Sequence, residues 1–352
     1  MENLKMLPTS TLENSADRNR FYNTIDEGNC APLWSVLHDL VSATPKTPCL
    51  PYIWHWEKVW PWIQEAGRMI TTEKAERRVL ILENPGLRGL SAITHSLYAG
   101  LQLILPGEVA RAHRHSQSAL RFVLQGKGAY TTVGGERVTM NVGDFIITPS
   151  WEFHDHGNLS EEPVVWLDGL DVPIVEMFDA QFMEYNESLQ QEVTRVEGES
   201  LAMFGNTMRP VEYSSHSHTS PLFWYPYERT RAALETLKLT REPHDAWGHK
   251  LEYLNPLNGQ AAMPTIGTFM QMLPQGFRGR PYRATDSTVY AVIEGRGSCV
   301  INDERLPFSP RDVFVCPSWM SYSLEADQDT VLFSFSDRPV QKSLDLWREE
   351  IL

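Results

Sequence analysis

Residues 107–126 read GEVARAHRHSQSALRFVLQG, and residues 143–158 read GDFIITPSWEFHDHGN. His113 and His115 stand one residue apart in the first stretch, and His154 and His156 repeat that spacing in the second. Successive side chains of a strand point to opposite faces, so each pair shares a face and Asp155 turns away from its neighbours. If His113 and His115 face inward, parity carries Ala119 and Arg121 inward with them. Gly107, Gly126, Gly143 and Pro149 frame the histidines with turn residues. The interior of a small β-barrel is a natural ligand pocket, and imidazole suits Fe, Cu, Zn and Ni. The expectation is one metal held by His113, His115 and His154 inside such a barrel.

The surrounding texture is β. RRVLILENPGLRG from Arg77 reads as a strand and an Asn-Pro-Gly turn, and SLYAGLQLILPGE as a strand ending in Pro-Gly. ALRFVLQGKGAYTTVGGERVTM reads as strands joined at Gly126–Gly128 and at Gly134–Gly135. Short strands with turn signals at close intervals predict a barrel or jelly roll, not a parallel sheet. The pattern then repeats: residues 268–319 lie over residues 101–151 with almost no gaps. Gly276 falls on Gly107, Gly295 on Gly126, Gly297 on Gly128, Asp312 on Asp144, Pro317 on Pro149 and Trp319 on Trp151. A duplication that keeps its turn residues means two copies of one β unit.

The expected division is a helical, aromatic segment (1–76), a barrel with the metal site (77–178), a connection (179–262) and a second barrel (263–352). The first segment carries Trp54, Trp56, Trp60 and Trp62, with Gly67 as a helix stop; such clustering fits packing against another domain or subunit. A first helix capped by Ser15 or Asp17 is expected to run through Thr24, and the spacing of apolar residues predicts another from Leu33. The connection is read as polar loop with one helix, 227–239.

The formal charge of -14 argues against nucleic-acid and anionic-membrane partners, which require basic surfaces, but leaves room for a small anionic substrate. Cys30, Cys49, Cys299 and Cys316 form no CxxC pair and read as reduced thiols of a cytoplasmic protein. The polar N-terminus has no apolar core of a signal peptide, and no run of about eighteen apolar residues occurs.

The framed histidines resemble the two cupin motifs. Gly107, His113-x-His115, position 119 and Gly126 follow the first; Gly143, Pro149, His154 and Asn158 follow the second, with Trp151 where Gly is usual. The first motif commonly carries a glutamate ligand, but here that position is Ala119. HRHSQSALRFVLQGKGAYT, GDFIITPSWEFHDHGN and WLDGLD further resemble the gentisate 1,2-dioxygenase family, over nearly the whole chain. That resemblance implies a mainly β bicupin using Fe(II) and O2 to cleave gentisate to maleylpyruvate in aromatic-compound degradation, as a homotetramer. Salicylate and 1-hydroxy-2-naphthoate are alternative substrates, on which Tyr98 and Gly100 bear. A non-catalytic ligand-binding bicupin is disfavoured by retention of the three histidines and Arg121.

Three neutral imidazoles leave a divalent metal its full charge, which a 2-hydroxybenzoate dianion would neutralise. Arg121, on the ligand face, suits a bidentate carboxylate clamp. By resemblance Arg77 is a second substrate-side arginine; the alternative is a solvated charge at a strand start. Gln102 shares parity with Tyr98 and Gly100 and matches a pocket glutamine. His156 and Asp168 match a family pair in which the carboxylate fixes the imidazole tautomer, for proton transfer or for structure alone.

In the second copy Tyr282, Ala284 and Tyr322 occupy the ligand positions, Tyr290 replaces Arg121, and Arg280 and Arg283 are the nearby cations. No metal is expected there, and its expected role is packing and assembly. His216-Ser-His218 lacks the Gly/Pro frame and reads as loop.

Overall fold

The computed structural model describes residues 15–215 and 217–352, so the His216 of the second His-x-His lies outside the described residues. The chain divides into two compact units, residues 1–46 and 47–352. In the first, helices Ser15–Glu27 and Leu33–Leu40 are joined where the Trp34 indole donates to the Tyr22 hydroxyl at 2.9 Å. The first helix runs one turn beyond Thr24.

The second unit holds two antiparallel barrels. One sheet of the first barrel runs in the order Trp224–Tyr225, Phe145–Thr148, Ala119–Gln125, Val164–Leu170, Tyr98–Ile104, Val79–Ile81. Facing it are Met183–Tyr185, Val109–His115, His154–Asn158, Ala129–Val133 and Glu136–Met140. The second barrel repeats both orders. Its first sheet is Tyr52–Trp54, Val313–Cys316, Thr288–Glu294, Thr330–Ser336, Gly267–Leu273, His249–Glu252. Its second is Glu349–Ile351, Tyr282–Ala284, Tyr322–Ala326, Gly297–Ile301, Glu304–Phe308.

The duplication reaches single dihedral angles. Trp151 and Trp319 sit at φ 62° and 60°, in left-handed backbone where glycine is the easy choice. Each indole is covered by a guanidinium, Arg114 over Trp151 and Arg283 over Trp319, both 4.7 Å from the ring. Asp171 and Asp337 hold equivalent corners, accepting the backbone N–H of Ser118 at 2.9 Å and of Ser287 at 3.0 Å.

The segments outside the repeat interlock the copies. Strand Tyr52–Trp54 pairs with Val313–Val315 on the edge of the second barrel. The chain then enters helix Trp56–Met69, whose Val59 and Ile63 join the core with Leu103 of the first barrel. Strand Trp224–Tyr225 does the reverse: it pairs with the first barrel and leads into helix Tyr227–Thr240, which packs on His249–Glu252 and Gly267–Leu273. Both helix starts are held by a buried aspartate. Asp312 accepts the Trp56 N–H at 2.7 Å and Asp144 the Tyr227 N–H at 2.9 Å, favourable for an anion at a helix N-terminus.

Two local expectations change. Gly67 does not end its helix, which continues to Met69; a Cβ there would come within 2.9 Å of Leu103 Cδ2, so glycine permits close approach to the barrel. The described residues of 179–262 contain the expected helix but also a short one, Glu199–Phe204, and three short edge strands, too brief to show alternation. Of the clustered tryptophans, Trp56 and Trp60 stack at 5.3 Å on the core, while Trp62 is exposed. No helix among the described residues is long and apolar enough to cross a membrane.

One core spans both barrels, with Phe122 of the first stacked on Phe333 of the second at 4.1 Å, beside a second cluster inside the second barrel. Phe333→Ala is therefore expected to destabilise both barrels together, by roughly 3–5 kcal/mol. Chemical denaturation should show one transition shifted as a unit; a shifted second-barrel transition beside an unchanged one would refute the shared core.

Burial pushes the Asp171 carboxyl up to about 6, despite hydrogen bonds from the Thr265 hydroxyl and the Ser118 N–H, against about 3.9 in an unfolded chain. The folded protein thus keeps a proton that the unfolded chain releases, and stability falls as pH rises through roughly 4 to 6. Above that window the cost is on the order of 3 kcal/mol. Asp171→Asn removes the charge and is expected to raise the melting temperature more at about pH 8 than at about pH 4. An equal shift at both would assign the effect to packing instead.

Candidate metal centre and ligand site

His113 and His115 lie on Val109–His115, and His113 pairs directly with His154 across the sheet. The register slips between Ala110 and His113, a bulge that re-aims the end of the strand. One ring nitrogen from each of His113, His115 and His154 lies within 4.8 Å of the others.

The tautomers follow from the backbone. His113 Nδ1 is 3.2 Å from the Arg111 carbonyl, His115 Nδ1 2.8 Å from that of Gln117, and His154 Nδ1 3.0 Å from that of Glu152. A carbonyl only accepts, so each Nδ1 carries the hydrogen and each Nε2 keeps its lone pair. This is the outer support usual for metal-binding histidine. Burial first, then Arg77, holds His113 down to about 3. Burial, with Arg121 among the opposing charges, holds His115 near 4 and His154 well below its ordinary value. All three imidazoles are neutral near pH 7, and buried Ala119 adds no carboxylate. This all-nitrogen set fits a divalent transition metal.

Arg121 lies on Ala119–Gln125 in the facing sheet, only 4% exposed. One terminal nitrogen contacts the Thr148 hydroxyl; Nε stands 3.7 Å from Asp168 Oδ1 and makes no hydrogen bond. Burial lowers Arg121 to about 10 and raises Asp168 to about 6, so at neutral pH both are charged.

The hydrogen bond expected between His156 and Asp168 is not formed. Asp168 Oδ1 accepts the Trp166 indole N–H at 2.9 Å, and both His156 ring nitrogens are buried without a partner. Trp166 precedes Asp168 by two residues on the same strand face and meets the His156 ring at 5.6 Å, which gives it first claim on the carboxylate. Asp155 turns away as parity requires, accepting the Gln191 N–H at 2.8 Å.

Arg77 is no solvated charge. Its guanidinium reaches the Arg111 carbonyl at 3.0 Å and contacts His113 Nδ1. That second contact needs a lone pair on Nδ1, which the hydrogen bond to Arg111 denies; only the latter tautomer leaves Nε2 able to ligate. Gln102 and Gly100 pair with Trp166 and Asp168 on the central strands, and Gln102 is buried. A Cβ on Gly100 would meet Val79 Cγ1 at 2.4 Å and the Tyr98 hydroxyl at 2.9 Å, so a larger residue would displace the side chains of this wall. Thr148 and Trp166 were not anticipated; Trp166-x-Asp168 on one strand face was the available signal.

In the second barrel the expected cations point away from the interior. Arg283 pairs with Glu350, and Arg280 donates to the Leu352 carbonyl. Alternation explains this: with Tyr282 and Ala284 inside, Arg283 faces out. Lys250 and Arg338 line the interior instead.

A cupin domain matches residues 100–171. The chain is 54% identical over 334 residues to gentisate 1,2 dioxygenase 1 of Aquipseudomonas alcaligenes, spanning 95% of this chain and 96% of the relative. It is 35% identical over 343 residues to the 5-aminosalicylate 1,2-dioxygenase of a Comamonas species, spanning 95% and 90%. Among solved structures, a variant salicylate 1,2-dioxygenase of Pseudoaminobacter salicylatoxidans in complex with gentisate superposes with a TM-score of 0.92. That match has 32% identity and covers 100% of this chain and 99% of the other. The chain belongs to the gentisate 1,2-dioxygenase family of bicupin ring-cleaving dioxygenases.

Proposed function

We propose that the chain is an Fe(II)-dependent dioxygenase that opens the ring of gentisate between its carboxylated and ortho-hydroxylated carbons, giving maleylpyruvate in aromatic-compound degradation. The observation that carries this reading is the convergence of three neutral, backbone-anchored imidazoles beside buried polar atoms without partners, Arg121 Nε and both nitrogens of His156. Buried polar groups are normally satisfied, so such a cluster marks the place of a missing ligand. Family membership further supports a cytoplasmic homotetramer.

When bound, Fe(II) supplies redox chemistry toward O2 and a charge that a 2-hydroxybenzoate dianion neutralises. The protein's own groups do the positioning. Arg121 offers a guanidinium fork to the carboxylate, and Asp168 keeps that fork aimed while the Trp166 indole holds Asp168. Arg77 adds a second cation beside His113. Among the described residues His156 is the buried imidazole left with both nitrogens unpartnered, and it takes the hydroxyl para to the ortho-hydroxyl, accepting or returning its proton. Gln102 orients substrate or O2, while Tyr98 and Gly100 set the wall against which the ring lies.

The test is anaerobic loading with Fe(II), then gentisate or salicylate with air, following absorbance of the ring-opened product. Product from gentisate supports the reading. Product from salicylate alone moves the assignment to the salicylate dioxygenases, and product from neither overturns dioxygenase activity on these acids.

A further inference from the structure

We infer that the interior of the second barrel is a binding site for a small aromatic carboxylate, separate from the metal centre. A cavity of about 200 Å³ lies there, lined by Trp247, Lys250, Phe269, Tyr282, Tyr290 and Tyr322 among others. Drug-sized ligands take about 300–1,000 Å³, so this space admits a single ring. Its aromatic walls suit a planar guest.

The charges single out one cation. Arg338 also lines the cavity, but Asp286 balances it at 3.1 Å and it donates to the Tyr282 hydroxyl at 3.2 Å. Lys250 has no ion pair or hydrogen bond among the described residues; its ammonium lies 4.5 Å from the centre of the Phe269 ring. Glu252 shares the lining but is exposed to solvent. Burial and Arg338 lower Lys250 to about 7, the mark of an ammonium missing its counter-charge. A carboxylate would provide it.

Hydrogen-bonding capacity is also left over. The Tyr290 and Tyr322 hydroxyls bond each other at 2.8 Å, which uses one of their two hydrogens and leaves the other to donate. Gln271 Oε1 and Ser334 Oγ are buried without partners. Gln271 pairs with Leu332 as Gln102 pairs with Trp166, and Ser334 pairs with Tyr290 as Asp168 pairs with Arg121. The positions that hold Gln102 and Asp168 in the first barrel thus hold unpartnered polar atoms in the second.

Equilibrium dialysis of the iron-loaded protein with labelled benzoate, without O2, tests the inference. One benzoate per chain should be lost in Lys250→Met and retained in Arg121→Ala, which disables only the first barrel. Lys250→Met should keep its iron and its gentisate turnover, which separates loss of a site from loss of fold. Tyr290→Phe should weaken the same site by about 5- to 10-fold, the worth of one hydrogen bond. Unchanged stoichiometry in Lys250→Met, loss of all benzoate in Arg121→Ala, or no binding to the wild type would overturn it. The outcome does not depend on which acid the first barrel oxidises.

Discussion

His113→Ala is expected to yield a folded protein that retains no iron after desalting and has no measurable turnover. Because His113 is partly open to solvent, its removal opens no sealed cavity, and the strand keeps its pairing with Met183–Tyr185. The metal loses one of three nitrogen ligands where Ala119 offers no substitute. Losing an outer partner of a ligand typically costs 10–100-fold in metal affinity, so losing the ligand itself should exceed about 100-fold. Metal analysis of the dialysed variant decides the point. Full iron occupancy would remove His113 from the ligand set, whereas loss of iron with wild-type circular dichroism would establish it.

Arg121→Ala should act on substrate, with iron still bound. Two effects combine. The substrate carboxylate loses its fork, and truncating one side of a buried charged contact costs roughly 2–5 kcal/mol. This corresponds to a KM increase of about 30- to several thousand-fold, with a smaller change in kcat. Asp168 is also left buried without its cation, and since Arg121 is the main influence lowering that carboxyl, its pKa should rise further. Adding Asp168→Asn should recover stability without recovering KM. If KM were unchanged in Arg121→Ala, the clamp would have to lie elsewhere, and Arg77 would be the next arginine to replace.

Much of this site was legible before any coordinates. The turn residues Gly107, Gly126, Gly276 and Gly295 take left-handed backbone that chain chemistry enforces locally, and they recur at matching positions in both copies. Parity then separates His154 and His156 from Asp155, and Arg121 from its neighbours. What stayed hidden depends on partners distant in sequence. Lys250 sits in a four-residue edge strand with no periodicity of its own, and its pairing with Gln271 places it at the second interior. The competition for Asp168 is won by Trp166 two residues away on its own strand, over a His156 that must reach from the other sheet. Gly67 has the composition of a helix stop but the task of a close contact. Arg283 departs from expectation for a simpler reason, since alternation from Tyr282 already turns it outward, while Arg280 lies before the strand and is held by the Leu352 carbonyl.

The crossed arms bear on the history open to such a chain. Each copy lends the other an edge strand and keeps the helix that follows it, so deleting one after duplication would strip an edge from its twin. Selection for chemistry needs only one set of histidines, yet selection for folding retains both shells. The interior of the second copy, where Tyr282, Ala284 and Tyr322 stand in place of the histidines, is then free of the ligand set while its shell is still built. A lineage in that position inherits a spare chamber, and the tyrosines and Lys250 that line it are where new recognition can arise without endangering the old reaction.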